Sequence, residues 1–230
     1  MSGAGMDAAS LKERAARAAA DVVTEGMRVG LGTGSTAAFA VQALGERVAA
    51  GLQIVGVATS EATAAQARGL GITLAELDEV DALDVTIDGA DEVDLGRFAV
   101  IKGFGGALLR EKLVARSTTH QIIIVDAGKL AAGGLTKIVP VEVVPFGARH
   151  TAAALERLGG RATLRGRDGG PFVTDGGNVI FDCDFGALGD PAALATAIKG
   201  LPGVVEHGLF IELVHRVIVA TATGIEIHRR

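Results

Sequence analysis

Apolar residues recur along this chain in two alternating rhythms. Short, nearly continuous apolar runs predict buried strands over 28–31, 53–58, 83–87 and 121–125. Between them, Ala-rich stretches with helical periodicity predict helices over 36–50, 60–69 and 107–117. Another Ala-rich helix is expected over 8–25, with Ser10 as its N-cap. Strands alternating with helices predict a mostly parallel sheet covered on both faces. In such sheets ligands gather at the carboxyl ends of the strands.

After Lys137 the order becomes strand 139–144, helix 148–158, strands 161–164 and 178–182, helix 191–199 and strand 204–210. That order is the ferredoxin-like split unit, with Asp175-Gly176-Gly177 supplying a turn between its middle strands. Two final strands, 214–220 and 224–228, are expected to return to the first domain. The expected fold class is α/β. A Rossmann-like, mostly parallel sheet domain takes 1–136 plus 211–230, and a smaller α+β, ferredoxin-like domain takes 137–210 and the oligomer contacts.

Composition narrows the function classes. A 49% hydrophobic fraction in 230 residues can bury a sizeable core, yet no apolar run approaches the ~18 residues of a membrane span. The first seven residues have neither a basic region nor an apolar one, so no secretory signal is expected. A single cysteine, Cys183, excludes an internal disulfide and fits a reducing, cytoplasmic setting as an inert packed thiol. The net charge of −5, with no Lys/Arg-rich block, argues against nucleic acid or a membrane surface as a partner. The absence of Trp and Tyr removes base-stacking platforms. An anionic ligand must therefore be held by a local site.

The run Gly30-Leu31-Gly32-Thr33-Gly34-Ser35-Thr36 follows a predicted strand and opens a predicted helix. Glycines permit close backbone approach, and a helix N-terminus offers N–H donors to an anion. A dinucleotide site requires G-x-G-x-x-G and an acidic residue roughly 20 residues on; here the spacing is G-x-G-x-G and the second strand ends in Thr59-Ser60. A P-loop lysine is missing as well. A small phosphorylated metabolite fits better than a nucleotide. Further on, Asp88 and Asp91 stand just past a predicted strand, and Lys102 sits in the loop Lys102-Gly103-Phe104-Gly105-Gly106 before a helix containing Glu111. Alone, Asp88 reads as a turn residue and Glu111 as a surface helical charge. Glu92 and Asp94 read as solvated. His120, His150, His207, His215 and His228 show no ligand spacing, so no metal site is expected.

Taken together, these segments resemble the type A ribose 5-phosphate isomerase family across essentially the whole chain. The resemblance rests on Gly30 to Thr36, Asp88-Gly89-Ala90-Asp91-Glu92, Ile101-Lys102-Gly103 with Gly105-Gly106-Ala107, and Arg110-Glu111-Lys112. The segments Pro140 to Pro145 and Thr174 to Ile180 match too. Phe104 departs from the pattern, which often has glycine there. The resemblance implies interconversion of D-ribose 5-phosphate and D-ribulose 5-phosphate in the pentose phosphate pathway, without cofactor or metal, by a homodimer or dimer of dimers. It implies Glu111 as the proton-transferring base and Asp88, Asp91 and Lys102 as the other active-site residues. Thr33, Gly34, Ser35, Thr36 and Lys129 match substrate-binding positions, as does Lys12 in the first helix. Gly89, Ala90, Gly103, Phe104 and Gly105 line the same implied site.

The chemistry suits these residue types. A carboxylate partly withdrawn from water suits removal of the C2 proton and its return to C1 through an enediolate. Lys102 and the glycine-loop N–H groups suit the developing oxyanion. Asp88 is assigned ring opening, and Asp91 orients hydroxyls. Two readings compete: a non-catalytic sugar-phosphate sensor, which would need a DNA-binding segment, and an acyl-CoA transferase-like enzyme using Glu111 as nucleophile.

Overall fold

The computed structural model describes residues 7–230. The first seven residues, where no secretory signal is expected, lie outside the described residues except for Asp7. The chain divides into two compact units. The first takes the chain up to Ala90 together with Leu113–Leu130 and Leu213–Arg230; the second takes Asp91–Lys112 and Ala131–Glu212.

In the first unit a seven-stranded sheet runs in the order Ile225–Arg229, Arg216–Ala220, Thr118–Asp126, Leu83–Gly89, Arg28–Leu31, Val55–Ala58, Thr73–Leu74. Every pairing is parallel except the C-terminal hairpin, where Arg216–Ala220 meets Ile225–Arg229. The helix Ala8–Ala20 buries Ala15, Ala16, Ala19 and Ala20, a stripe at helical spacing that packs with Leu44, Ile122 and Ile218. Its N-cap is Asp7, whose carboxylate accepts the Ser10 N–H at 2.8 Å, so Ser10 lies inside the helix instead of capping it. The central strand Arg28–Leu31 has Val55–Ala58 on one side and Leu83–Gly89 on the other. The chain reverses its winding there, which makes the carboxyl end of that strand the topological switch point.

The second unit holds an antiparallel four-stranded sheet ordered Val204–His207, Val139–Val143, Val179–Asp184, Arg161–Leu164. That is the expected ferredoxin-like arrangement. Val139, Val141, Val143, Phe181 and Cys183 alternate along their strands and pack against Leu155 and Ile198 of the two helices. A three-stranded sheet, Leu209–Phe210, Ala99–Ile101 and Glu92–Asp94, completes the unit. It draws Asp91–Lys112 out of the domain in which the sequence reading placed it, since Ala99 and Ile101 share a core with Val139 and Leu209. Glu92 and Asp94 are buried, not solvated. Glu92 accepts N–H bonds from Thr136 and Lys137 at 2.7 and 2.8 Å, and Asp94 accepts from Gly96, Arg97 and the Arg97 guanidinium. A buried carboxylate requires such partners.

Candidate active site

The site residues fall into two groups, one in each unit. The first group lies at the switch point. Gly32 N–H donates to Ile87 O at 3.0 Å, continuing the ladder one residue beyond the strand. The backbone then passes so close to Asp88 that a Cβ on Gly32 would lie 2.2 Å from Asp88 Oδ1. Asp88, fully buried, accepts N–H bonds from Thr33 at 3.2 Å and Gly89 at 2.8 Å. Gly34 follows with φ of 109°, open only to glycine, and caps the helix Ser35–Ala49 without any side-chain acceptor. The first N–H groups of that helix are thus left to a ligand or water. Lys12 Nζ donates to Ser35 Oγ at 2.9 Å, adding a positive charge to the helix dipole.

Thr33 also bonds within the protein. Its Oγ1 lies 2.7, 2.8 and 3.1 Å from Thr59 Oγ1, Ser60 Oγ and Thr63 Oγ1, and its N–H goes to Asp88. It ties the loop to the next strand–helix turn, beside Gly34, Ser35 and Thr36 at the start of the helix. Lys129 stands in the short turn Ala127–Lys129, at the carboxyl end of a strand parallel to Leu83–Gly89, and so at the same edge of the sheet as the loop.

The second group surrounds Lys102. Lys102 N–H donates to Gly208 O, and its Nζ lies 3.4 Å from Glu111 Oε1; the side chains are 3% and 2% exposed. Glu111 is in the first turn of the helix Leu108–Arg116. An acidic side chain there is favoured by the dipole, and the adjacent ammonium offsets the cost of burying it. Asp91 Oδ2 accepts the Phe104 N–H at 3.1 Å, so Asp91 braces the lysine loop. Gly103 is buried, whereas Phe104 and Gly105 lie at the surface with Phe104 47% exposed. Gly89 and Ala90, both partly buried, end the strand carrying Asp88.

From the sequence, Phe210 and Glu206 had no role here, and Lys112 and His207 none beyond a place in the Arg110-Glu111-Lys112 motif and among the histidines without ligand spacing. Phe210, fully buried, has Lys102 Nζ 5.7 Å and Lys112 Nζ 4.9 Å from its ring centroid, within cation–π range. Lys112 donates to Glu206 Oε1 at 2.7 Å and to His207 O at 2.5 Å, and sits 3.2 Å from His207 Nδ1. No spacing rule joins residue 112 to 206 or 207; the only signal was the apolar strand leading to Phe210. Burial works to raise the Glu206 carboxyl, but the Lys112 charge and hydrogen bond prevail and hold it at about 2. Burial, then the Lys112 charge, pushes the His207 imidazole down from 6.5 to about 3. Burial pushes the Cys183 thiol up to about 12, in keeping with an inert packed thiol.

A stability prediction follows from His207. The unfolded chain takes up a proton below pH 6.5 that the folded protein refuses until about pH 3. Its contribution is therefore complete above 6.5 and lost as pH falls through that window, with a slope of at most roughly 1.4 kcal/mol per pH unit. Urea unfolding at pH 7 and pH 4.5 is expected to show the loss, and His207→Gln is expected to flatten the slope. An equal slope in the variant would exclude His207 as its source.

A glycine–hydroxyl loop at a strand end in one α/β unit and a buried lysine–carboxylate pair in the other are features of small-molecule enzymes. The comparisons place this chain more narrowly. A profile of the ribose 5-phosphate isomerase A (phosphoriboisomerase A) family matches residues 55–224. The ribose-5-phosphate isomerase A of Gloeobacter violaceus is 56% identical over 223 residues, covering 96% of this chain and 97% of its own. The structure of ribose 5-phosphate isomerase A from Methanocaldococcus jannaschii superposes with a TM-score of 0.93 at 38% identity, covering 97% of this chain and all of the other (100%). A D-ribose-5-phosphate isomerase in complex with phospho-erythronic acid gives 0.94 at 38% identity, over 98% and 100% of the two chains. The chain belongs to the ribose 5-phosphate isomerase A family, and is an isomerase of sugar phosphates. Neither the sensor nor the acyl-CoA transferase reading is favoured. Among the described residues no helix is long and apolar enough to cross a membrane.

Proposed function

We propose that this protein interconverts D-ribose 5-phosphate and D-ribulose 5-phosphate through an enediolate, with Glu111 as the base. The observation that carries the reading is the buried Lys102–Glu111 pair, 3.4 Å apart. Glu111 takes the C2 proton and returns it to C1 while the O2 hydroxyl proton passes to O1, and charge developing on the substrate oxygen is met by the Lys102 ammonium. The phosphate is held by the open N-terminus of the helix Ser35–Ala49, with Ser35, Thr36 and Lys12 contributing donors and charge. Such remote binding positions a small reacting end. Asp88 serves ring opening of the sugar. Asp91 acts on the substrate's hydroxyls and also, through Phe104 N–H, on the lysine loop.

This chemistry needs no electron transfer and no cofactor, and Lys102 supplies the electrophile. A cytoplasmic setting suits a chain whose one cysteine is a buried free thiol. The second unit, which exposes Phe146 and Val173, is the choice for contacts in a homodimer or dimer of dimers. The decisive experiment is ketose formation from ribose 5-phosphate by the purified protein alone, before and after exhaustive chelation. Activity is expected in both. No turnover in either would end the reading, and loss on chelation restored by one divalent ion would end the cofactor-free part of it.

A further inference from the structure

The loop after Lys102 is held by a residue with no part in the roles assigned so far. Arg165 follows the strand Arg161–Leu164. Its Nε and Nη2 donate to the two carboxylate oxygens of Asp182, at 3.0 and 2.5 Å. That leaves Nη1 to donate to the carbonyl oxygens of Gly103 at 2.8 Å and Phe104 at 3.2 Å. The Arg165 side chain is only 13% exposed, and its bonds to Asp182 and Gly103 are partly buried, while the bond to Phe104 lies at the surface. The segment it begins makes two more contacts with the same stretch. The Phe172 ring occupies the space left by Gly106, where a Cβ would lie 2.2 Å from Cζ. Asp175 approaches Arg110, the residue before Glu111, at 3.7 Å.

We infer that Arg165 is a positioning residue of the isomerase, fixing the loop that sets Lys102 against Glu111; the inference rests on the roles given to that pair above. The physical need is clear from the loop itself. Residues 102–107 form neither helix nor strand, and three of the six are glycines, so the chain there is conformationally permissive. Asp91 holds one N–H of the loop and Arg165 holds two of its carbonyls. Only a guanidinium can do this. Its planar fork offers donors to Asp182 and to the loop in fixed directions at once, where a lysine ammonium is a single point. Misplacement of reacting groups by an ångström is costly in rate, although substrate still binds through its phosphate.

The test is Arg165→Met and Arg165→Lys beside the wild type, read as kcat, KM, inhibition by inorganic phosphate, and melting temperature. Expected is a fall in kcat of about 10- to 100-fold in both variants, with phosphate inhibition unchanged and melting close to wild type. Should the methionine variant not fold, the lysine variant decides, since it retains a cation for Asp182. Wild-type kcat in either soluble variant would overturn the inference. So would a parallel loss of kcat, phosphate binding and melting temperature, which is the mark of general loosening. An inactive wild type would instead strike at the proposed function itself.

Discussion

Glu111→Gln is expected to lower kcat by roughly 10²–10⁴ and leave phosphate inhibition nearly intact. Glutamine keeps the shape of the side chain and an oxygen facing Lys102, but it cannot take a proton from carbon. The buried setting adds a second effect. Removing the negative charge takes from the buried Lys102 ammonium, 3% exposed, a counter-charge at 3.4 Å. That costs stability as well as chemistry, by about 3–5 kcal/mol in comparable buried pairs. The two are separated by measuring unfolding in urea along with turnover, at a temperature where the variant is fully folded. A folded variant with near-wild-type kcat would remove Glu111 from proton transfer.

The second large effect divides anchoring from chemistry. Lys102→Ala is expected to reduce kcat by about 10²–10³, the scale for losing one donor to a developing oxyanion, while inorganic phosphate still competes. Thr36→Ala is expected to do the reverse. In the proposed binding mode it removes a hydrogen bond to the phosphate, worth about 1.5–3 kcal/mol for a charged partner, and so is expected to weaken phosphate inhibition by roughly 10- to 150-fold with a smaller change in kcat. Kinetic constants and phosphate inhibition constants for both variants decide the matter. If Lys102→Ala abolished phosphate inhibition and Thr36→Ala left it unchanged, the substrate would lie the other way round.

The strand Arg28–Leu31 and the helix Pro191–Lys199 were legible to the residue, because their apolar runs are flanked by local stop signals such as Gly32 and the Asp190 cap. Asp190 accepts the Ala192 and Ala193 N–H groups, a contact within three residues. The anion loop was legible for the same reason: its glycines, hydroxyls and helix start are contiguous. What the contiguous run could not show is that the Thr33 hydroxyl meets Thr59, Ser60 and Thr63, some thirty positions away.

By itself, then, the sequence determined the order of the main strands and helices, the α/β class, the glycine–hydroxyl loop between a strand and a helix, and the residue types able to move a proton. These depend on periodicity and on neighbours a few residues apart. The sequence did not show the short strands Thr73–Leu74, Glu92–Asp94 and Ala99–Ile101. Only the tertiary structure decided that Asp91–Lys112 joins the second unit, that Glu92 and Asp94 are buried, that Phe210 lies beside both Lys102 and Lys112, and that Lys112 pairs with Glu206. The physical reason is sequence separation. Lys112 and Glu206, or Arg165 and Gly103, meet only because strands far apart in the chain pair in one sheet. Whether a charged residue is solvated or buried depends on that pairing, and local composition carries no trace of it.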